Sequence, residues 1–426
     1  MLDLKLIRQS PELVRAGARK KRIACDVDRI LELDEASRTV GRRVDELRAR
    51  QKTAGKEMRG ADPERREALL AEQKELKAEL KGLEDEHGGY DRELKELLLT
   101  VPNLPADDVP EGEDDGDNVE LRKVGEPPAF EFEARDHVSL ATAQGWLDIE
   151  RAGRMAGTRN YVLKGDLALL EGAVMRMALD HMVQKGFTAL SVPTLVRREV
   201  MVGTGYFPGG EDQAYRCDER DDLCLVGTAE VPMTALHAGE ILSLDELPLR
   251  FVALSTCYRR EAGTHGKDTR GLYRVHQFQK VEQVVVDVGD EDRSLEHHRE
   301  ILANAEEVLQ ALELPYRVVN VCGGDLGAPQ VQKFDIETWM PSRESYGETH
   351  SASRFHEFQA RRLGLRYRGD DGKVRFCHTL NNTVAASARM LIALLENHQC
   401  PDGTVRVPPP LRPYLAGRES LGRPLG

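Results

Sequence analysis

Nine positions, Ile30, Leu33, Ser37, Val40, Val44, Leu47, Gln51, Ala54 and Met58, follow one another at alternating spacings of three and four. Side chains so spaced fall on one stripe of a helix, the seam of a coiled coil. The stretch "GADPE" then breaks the helix with Gly60 and Pro63. A second seam follows through Leu69, Gln73, Leu76, Leu80, Leu83, His87, Tyr90, Leu94 and Leu97. The turn between them is too short for anything but an antiparallel hairpin. At about 1.5 Å per residue each helix is predicted to be roughly 45 Å long. A two-helix hairpin has no third layer to bury into, so it protrudes. A chain of 426 residues also exceeds the size at which one core stops growing, which predicts a second domain.

Charge is uneven along this arm. Arg38, Arg42, Arg43, Arg48, Arg50, Lys52, Lys56 and Arg59 stand against Asp45, Glu46 and Glu57, a local excess of five on a chain whose net charge is -13. The acidic whole argues against a general basic coat for nucleic acid but permits a local patch. The arm's basic face reads either as an ordinary solvated coiled-coil surface or as a ridge that contacts phosphates. The seven cysteines (Cys25, Cys217, Cys224, Cys257, Cys322, Cys377 and Cys400) show no CxxC spacing. That suggests neither a disulfide framework nor a zinc ribbon, and a reducing cytoplasm fits. No apolar run approaches bilayer length and the N-terminus lacks a long apolar core, so a soluble, unexported protein with no membrane partner is expected.

Residues 1–104 are thus expected as the helical arm, 105–129 as an extended acidic linker, and 130–426 as the second domain. The linker carries eight carboxylates between Asp107 and Glu120 but nothing that fixes a coordination geometry. Beyond it, "DLALLEGAVMRMALDHMVQKG" reads as a helix, while "LRFVALSTCYRR", "LYRVHQFQKVEQVVVDV" and "YRVVNVC" read as strands in hairpin-like pairs. An α+β fold follows, an antiparallel sheet flanked by helices. Neither GxGxxG nor GxxxxGK[ST] occurs, leaving Rossmann and P-loop nucleotide sites unsupported.

One hairpin is unusual. Between Tyr258 and Glu282, Arg259, Arg260, Glu261, His265, Lys267, Asp268, Arg270, Arg274, His276 and Lys280 crowd around Gly263, Gly266 and Gly271. Alternation is expected to put Arg274, His276, Phe278, Lys280 and Glu282 on one face of the second strand, with Tyr273, Val275, Gln277, Gln279 and Val281 on the other. Arg259 and Glu261 are expected to share a face of the first strand. Arginines, an aromatic ring and carboxylates on one side make a poor core. They suit a nucleotide, with an arginine on phosphate, a ring under the base and a carboxylate for an amino group.

The stretch "TCYRREAG…TRGLYRVHQFQKVE" resembles the second signature of class II aminoacyl-tRNA synthetases, and in detail that of the seryl-tRNA synthetase family. "GFTALSVPTLV" with Pro193 resembles the first signature, and "TLNNTVAASARMLIALLENHQCPDGTVRVPPPLRPY" the third; "GTAEVP", "FDIETWMPS", "FQARR", "VPNLP" and the arm extend the likeness over nearly the whole chain. The resemblance implies a class II sheet that binds ATP, Mg²⁺ and L-serine, preceded by an antiparallel coiled-coil arm for tRNA(Ser), in a homodimer with the first signature at its interface. It also leaves tRNA(Sec) open as a substrate. Carried over by position, it places Arg259 on the α-phosphate, Arg389 on the γ-phosphate, Glu261 on the adenine amino group and Phe278 against adenine. Arg260, Val275, Thr349 and His350 complete the ATP set, and Glu348 and Ser351 are the metal and ATP positions. Thr228, Ala229, Glu230, Arg259, Glu282, Asn381 and Thr383 are the serine set. Glu230 with Thr228 leans toward the ammonium and Glu282 with Thr383 toward the hydroxyl. Arg42, Arg43, Arg48 and Arg50 would meet tRNA. Arg389 is expected off an apolar stripe of Val384, Ala388, Leu391, Ile392 and Leu395. No catalytic role falls to His265, His276, His297 or His298.

The chain departs from the family pattern in places. "ETHSASR" brings His350 and Arg354, and "TLNNT" has Asn382 where glycine is usual, beside the expected serine pocket. These changes imply altered serine affinity, resistance to a serine-adenylate mimic, or drift. Three readings are open from sequence: a housekeeping synthetase; a synthetase-like paralogue that charges a carrier protein, feeds a biosynthetic pathway or confers self-resistance; and a catalytically dead adaptor.

Overall fold

The computed structural model describes residues 1–218, 220–263 and 270–425. His265, Gly266, Lys267 and Asp268 of the charged hairpin lie outside the described residues. The chain divides into two units, Met1–Arg19 with Ile23–Pro102, and Lys20–Arg22 with Asn103–Gly426.

In the first unit two long helices, Val27–Glu57 and Pro63–Thr100, form the antiparallel hairpin. Asp26 and Asp62 cap them by accepting from the backbone N–H of Arg29 and Arg65, and Pro63 occupies the first helical turn, where its missing N–H costs nothing. At 31 and 38 residues they run about 46 and about 57 Å. Val44, Leu47, Leu76 and Leu80 form the mid-arm core, with Val40 and Leu83 packed against it. The polar seam positions are satisfied across the hairpin. Ser37 donates to Asp91 at 2.7 Å, and the Gln73 amide donates to the Gln51 carbonyl at 2.7 Å. Toward the end of the second helix the buried residue is Leu98, with Leu97 only half-buried. A straight helix drifts against a seven-residue repeat, and the seam has moved one position.

The second unit is built on an eight-stranded sheet. In chain order its strands are β1 (Val119–Val124), β2 (Thr188–Leu190), β3 (Leu249–Tyr258), β4 (Gln277–Asp287), β5 (Tyr316–Asn320), β6 (Gln332–Met340), β7 (Ser345–His356) and β8 (His378–Ala386). Across the sheet they lie in the order β1-β5-β6-β7-β8-β4-β3-β2. Every pairing is antiparallel except β2 on β3, which is parallel, so the sheet is mixed at one edge. Helices Asp166–Gln184, Glu291–Ala311 and Ser387–Asn397 cover one face. Leu170, Val174, Ile301, Val308, Leu391 and Leu395 pack there on Val281, Val285, Ile336, Leu380 and Val384.

Two expectations change here. Residues 105–129 are not merely a linker, because Val119–Val124 adds β1 to the sheet edge, antiparallel to β5. The acidic residues before it conceal this short strand, whose valines and Leu121 are the only local strand signal. Val384, expected on the helix that carries Arg389, belongs to β8, and the helix begins at Ser387.

Candidate active site

The other face of the sheet forms the floor of a cavity of about 370 Å³. Arg259, Glu261, Val275, Phe278, Glu282, Glu348, Thr349, His350, Ser351, Asn381, Thr383, Arg389 and Glu230 all line it, so residues scattered over 160 positions of sequence converge on one space. Alternation along β4 explains Phe278, Lys280 and Glu282, which share the cavity face while Val281 and Val285 face the helices. The strand begins only at Gln277, and the expected alternation fails before it. Tyr273 and Val275, assigned to the far face, line the cavity. β3 likewise ends at Tyr258, so Arg259 and Glu261 reach the cavity from the loop beyond it. Glu261 has φ of +51°, a left-handed conformation rare outside glycine and a strain that clusters at working sites.

Arg260, Thr228 and Ala229 do not line the cavity. Arg260 is exposed and its N–H donates to the Gln213 carbonyl at 2.9 Å. Thr228 is buried and accepts from the Glu230 N–H at 3.2 Å, and Ala229 is part of the core. Asn382 lies between two cavity-lining residues but is itself turned from the cavity, donating to the Ile301 carbonyl at 2.6 Å within the helix layer, because its neighbours Asn381 and Thr383 take the cavity face. Arg354 is buried and bonds Gln332 and Glu291, off the cavity wall. Of the departures, His350 alone faces the cavity. It is held between the Thr349 hydroxyl at 2.8 Å and the Val384 carbonyl at 3.1 Å, and burial pushes its pKa down to about 4. It is neutral at neutral pH.

Cations and carboxylates are arranged by partner. The Arg389 guanidinium stacks on the Tyr273 ring at 4.5 Å and reaches Glu348, donating to its carbonyl at 2.6 Å and pairing with its carboxylate at 3.3 Å. Arg259 lies over the Phe278 ring at 5.4 Å, and Arg274 pairs with Glu261 at 3.6 Å. The Glu348 side chain is open to the cavity; the protein around it would raise its pKa, but Arg389, Lys333 and Arg259 outweigh that and hold it at about 2. Glu230 is the opposite case. Burial, reinforced by Glu282, pushes it above the ordinary carboxylate value even though Tyr206 and Gln359 each donate to it at 2.8 Å. Glu282 is buried, paired with Lys280 and accepts from Thr383 at 3.3 Å.

The donor set suits a hard cation. Ser351 faces Asp335 directly across the β6–β7 ladder, and Glu348 opens into the same cavity as an ionised carboxylate. Among the described residues no cluster of three or more His, Cys, Asp or Glu could hold a metal alone. A few oxygens completed by phosphate and water are the kind of site Mg²⁺ occupies.

Similarity to known proteins narrows what this arrangement does. Residues 1–105 match the seryl-tRNA synthetase N-terminal domain, and residues 215–398 match the tRNA synthetase class II core domain (G, H, P, S and T). A serine–tRNA ligase of Deinococcus radiodurans is 52% identical over 425 residues, covering all of both chains. This chain belongs to the seryl-tRNA synthetase family. The seryl-tRNA synthetase of Pyrococcus horikoshii, solved with ATP, superposes with a TM-score of 0.92 at 39% identity over the full length of both chains. The cytoplasmic serine–tRNA ligase of Naegleria fowleri, solved with AMP, gives 0.87 at 32% identity over 99% of each. The activity is that of the family, ligation of serine to tRNA. The likeness runs through the arm as well as the catalytic core.

Several residues that shape this synthetase site were not singled out from sequence. Gln359 lies in "FQARR" and Asp335 in "FDIETWMPS", both quoted for the resemblance but given no role. Gln359 links Glu230 to Thr379, whose hydroxyl donates to it at 2.6 Å, and Lys333 pairs with Asp335 at 3.2 Å. Tyr206 comes from a helix-to-loop segment with no local signal. Only its 2.8 Å bond to Glu230 marks it.

Proposed function

We propose that the cavity binds ATP and L-serine side by side and joins them as seryl adenylate, and that the arm presents tRNA(Ser) for the second step. One observation carries this reading: Arg259 and Arg389 enter the same cavity that is lined by the two buried carboxylates Glu230 and Glu282. In it the serine carboxylate attacks the α-phosphorus in line and pyrophosphate leaves. Arg259 meets the charge that develops on the α-phosphate and Arg389 that on the leaving group. Phe278 lies under adenine, with Glu261 accepting from its amino group. Glu230 takes the serine ammonium and Glu282 with Thr383 the hydroxyl. Glu348 and Ser351 would hold Mg²⁺, which supplies further charge neutralisation on the phosphates. No protein nucleophile is needed. In the second step a hydroxyl of the terminal adenosine of tRNA attacks the adenylate carbonyl and releases AMP.

The same reading includes a homodimer and, with all seven cysteines free, a reducing cytoplasmic setting. Among the described residues no helix is long and apolar enough to cross a membrane. Serine-dependent ATP/pyrophosphate exchange, repeated with threonine, glycine and alanine and followed by charging of purified tRNA(Ser), tests it. Exchange and charging with serine alone are expected; exchange driven by another amino acid in preference to serine refutes it.

A further inference from the structure

Lys280 lies inside the amino-acid end of the cavity, where a basic residue has no obvious business if the substrate brings its own ammonium. It lines the wall, is 5% exposed, and pairs with Glu282, itself 2% exposed. We propose that Lys280 is a positioning residue that determines specificity: it is the resident counter-charge of Glu282, fixing that carboxylate as the reader of the serine hydroxyl. The proposal rests on the serine reading of the cavity given above.

The argument is one of charge and of atoms. Lys280 and Glu282 share the cavity face of β4, so the lysine stem folds back onto the carboxylate two residues on. The Lys280 ammonium and the Thr383 hydroxyl both bond Oε2 of Glu282. Oε1 is therefore the oxygen left to accept from a substrate hydroxyl. Glu230 differs in kind: its oxygens accept from Tyr206 and Gln359, both neutral donors, and no basic side chain pairs with it among the described residues. Two buried carboxylates thus have one resident ammonium between them, while Arg259 lies over Phe278. The unmatched charge is on Glu230, and a substrate ammonium completes the balance there. With Lys280 absent Glu282 loses the ammonium it pairs with, and a substrate ammonium could settle on either carboxylate. A mispositioned serine, or an alanine held by the wrong carboxylate, would then gain on the correct complex.

The test compares Lys280→Met, Lys280→Arg, Glu282→Gln and the double variant Lys280→Met/Glu282→Gln in pyrophosphate exchange with serine and with alanine. Lys280→Met should raise the serine KM by about tenfold or more while the ATP KM stays within about threefold, since only amino-acid binding loses an interaction. It should also cut the serine-to-alanine ratio of kcat/KM by about 10²-fold or more, because the hydroxyl reader is lost. Lys280→Arg keeps the charge and should restore most of the ratio. Because Lys280 acts through Glu282, the double variant should discriminate no worse than Glu282→Gln alone. A folded Lys280→Met variant with wild-type ratio and serine KM overturns the proposal, as does a loss in the double variant equal to the product of the single losses. If Lys280→Met does not fold, Lys280→Gln, which keeps a hydrogen-bond donor on Glu282 but no charge, decides: a loss of the serine-to-alanine ratio supports the proposal and the wild-type ratio with the wild-type serine KM overturns it. Failure of the wild-type protein to exchange pyrophosphate with serine is a separate outcome, against the function and not against this role.

Discussion

Arg259 leaves the end of β3 just where the strand stops and enters the cavity over the Phe278 ring, and the proposed function puts its guanidinium on the α-phosphate. Loss of one such preorganised donor typically slows a reaction by about 10²-fold or more. Arg259→Ala is therefore expected to lower pyrophosphate exchange by at least about that factor, and Arg259→Lys to restore little, because a point charge does not reproduce a planar fork. Near-normal exchange by a folded alanine variant would contradict the assignment. Glu230, proposed to take the serine ammonium, is expected to set a pH dependence. Only the ionised form attracts an ammonium, and burial has raised its pKa, so the acid side of the serine kcat/KM profile should begin to fall at a higher pH than an ordinary carboxylate would dictate. Glu348, held at about 2, should contribute nothing to that limb. The profile of Glu230→Gln, compared with wild type, checks this: an unchanged limb in the variant would assign the titration elsewhere.

At the scale of the element, the arm shows why its basic face is subtle. Arg43, Arg48 and Arg50 pair with Glu79, Glu84 and Glu72 of the second helix at 3.1, 2.7 and 3.3 Å, whereas Arg42 bonds back to its own helix. These pairs are exposed and so are worth little each. They brace the hairpin yet open to a phosphate at small cost. Reversal to glutamate would set like charges face to face across the hairpin and loosen it, so glutamine is the cleaner substitution. With Arg42, Arg43, Arg48 and Arg50 all changed to Gln, helical circular dichroism and pyrophosphate exchange should persist. Charging of tRNA(Ser) should fall by about tenfold or more, with a shallower salt dependence of tRNA binding. Replacing residues 31–98 by a short glycine linker should abolish charging and spare exchange, since the catalytic core clusters contain none of those residues. Unimpaired charging by the armless protein would make the basic face a solvated surface only.

For the whole molecule the open question is assembly. The first-signature segment, residues 186–196, supplies β2 at the edge of the sheet, with Leu195 41% exposed and Leu190 and Val192 only half-buried. An edge strand followed by part-exposed apolar residues is a surface that association would cover. The expected state is a homodimer. Light scattering at micromolar concentration should give twice the 47.7 kDa chain mass, and a monomer there would count against the interface.

Much of this molecule was determined by its sequence alone. The alternating three-and-four spacing, the break at Gly60 and Pro63 and the strand-like pair around the charged loop depend on neighbours in the chain, and local spacing dictates local periodicity. The resemblance named Arg259, Glu261, Phe278, Glu348 and Arg389, and the fold brings all five to one cavity. Only the tertiary structure decided which side chains face it. The late start of β4 turned Tyr273 and Val275 inward, and the alternation of β8 turned Asn382 into the helix layer, away from the cavity. Nor could spacing reveal that Glu230 is gripped by neutral donors 24 residues before it and 129 after it, while Glu282 keeps a lysine two residues away. Two glutamates alike in sequence become unlike in chemistry because burial makes each carboxylate's charge depend on its nearest partner, and those partners are assembled by the sheet.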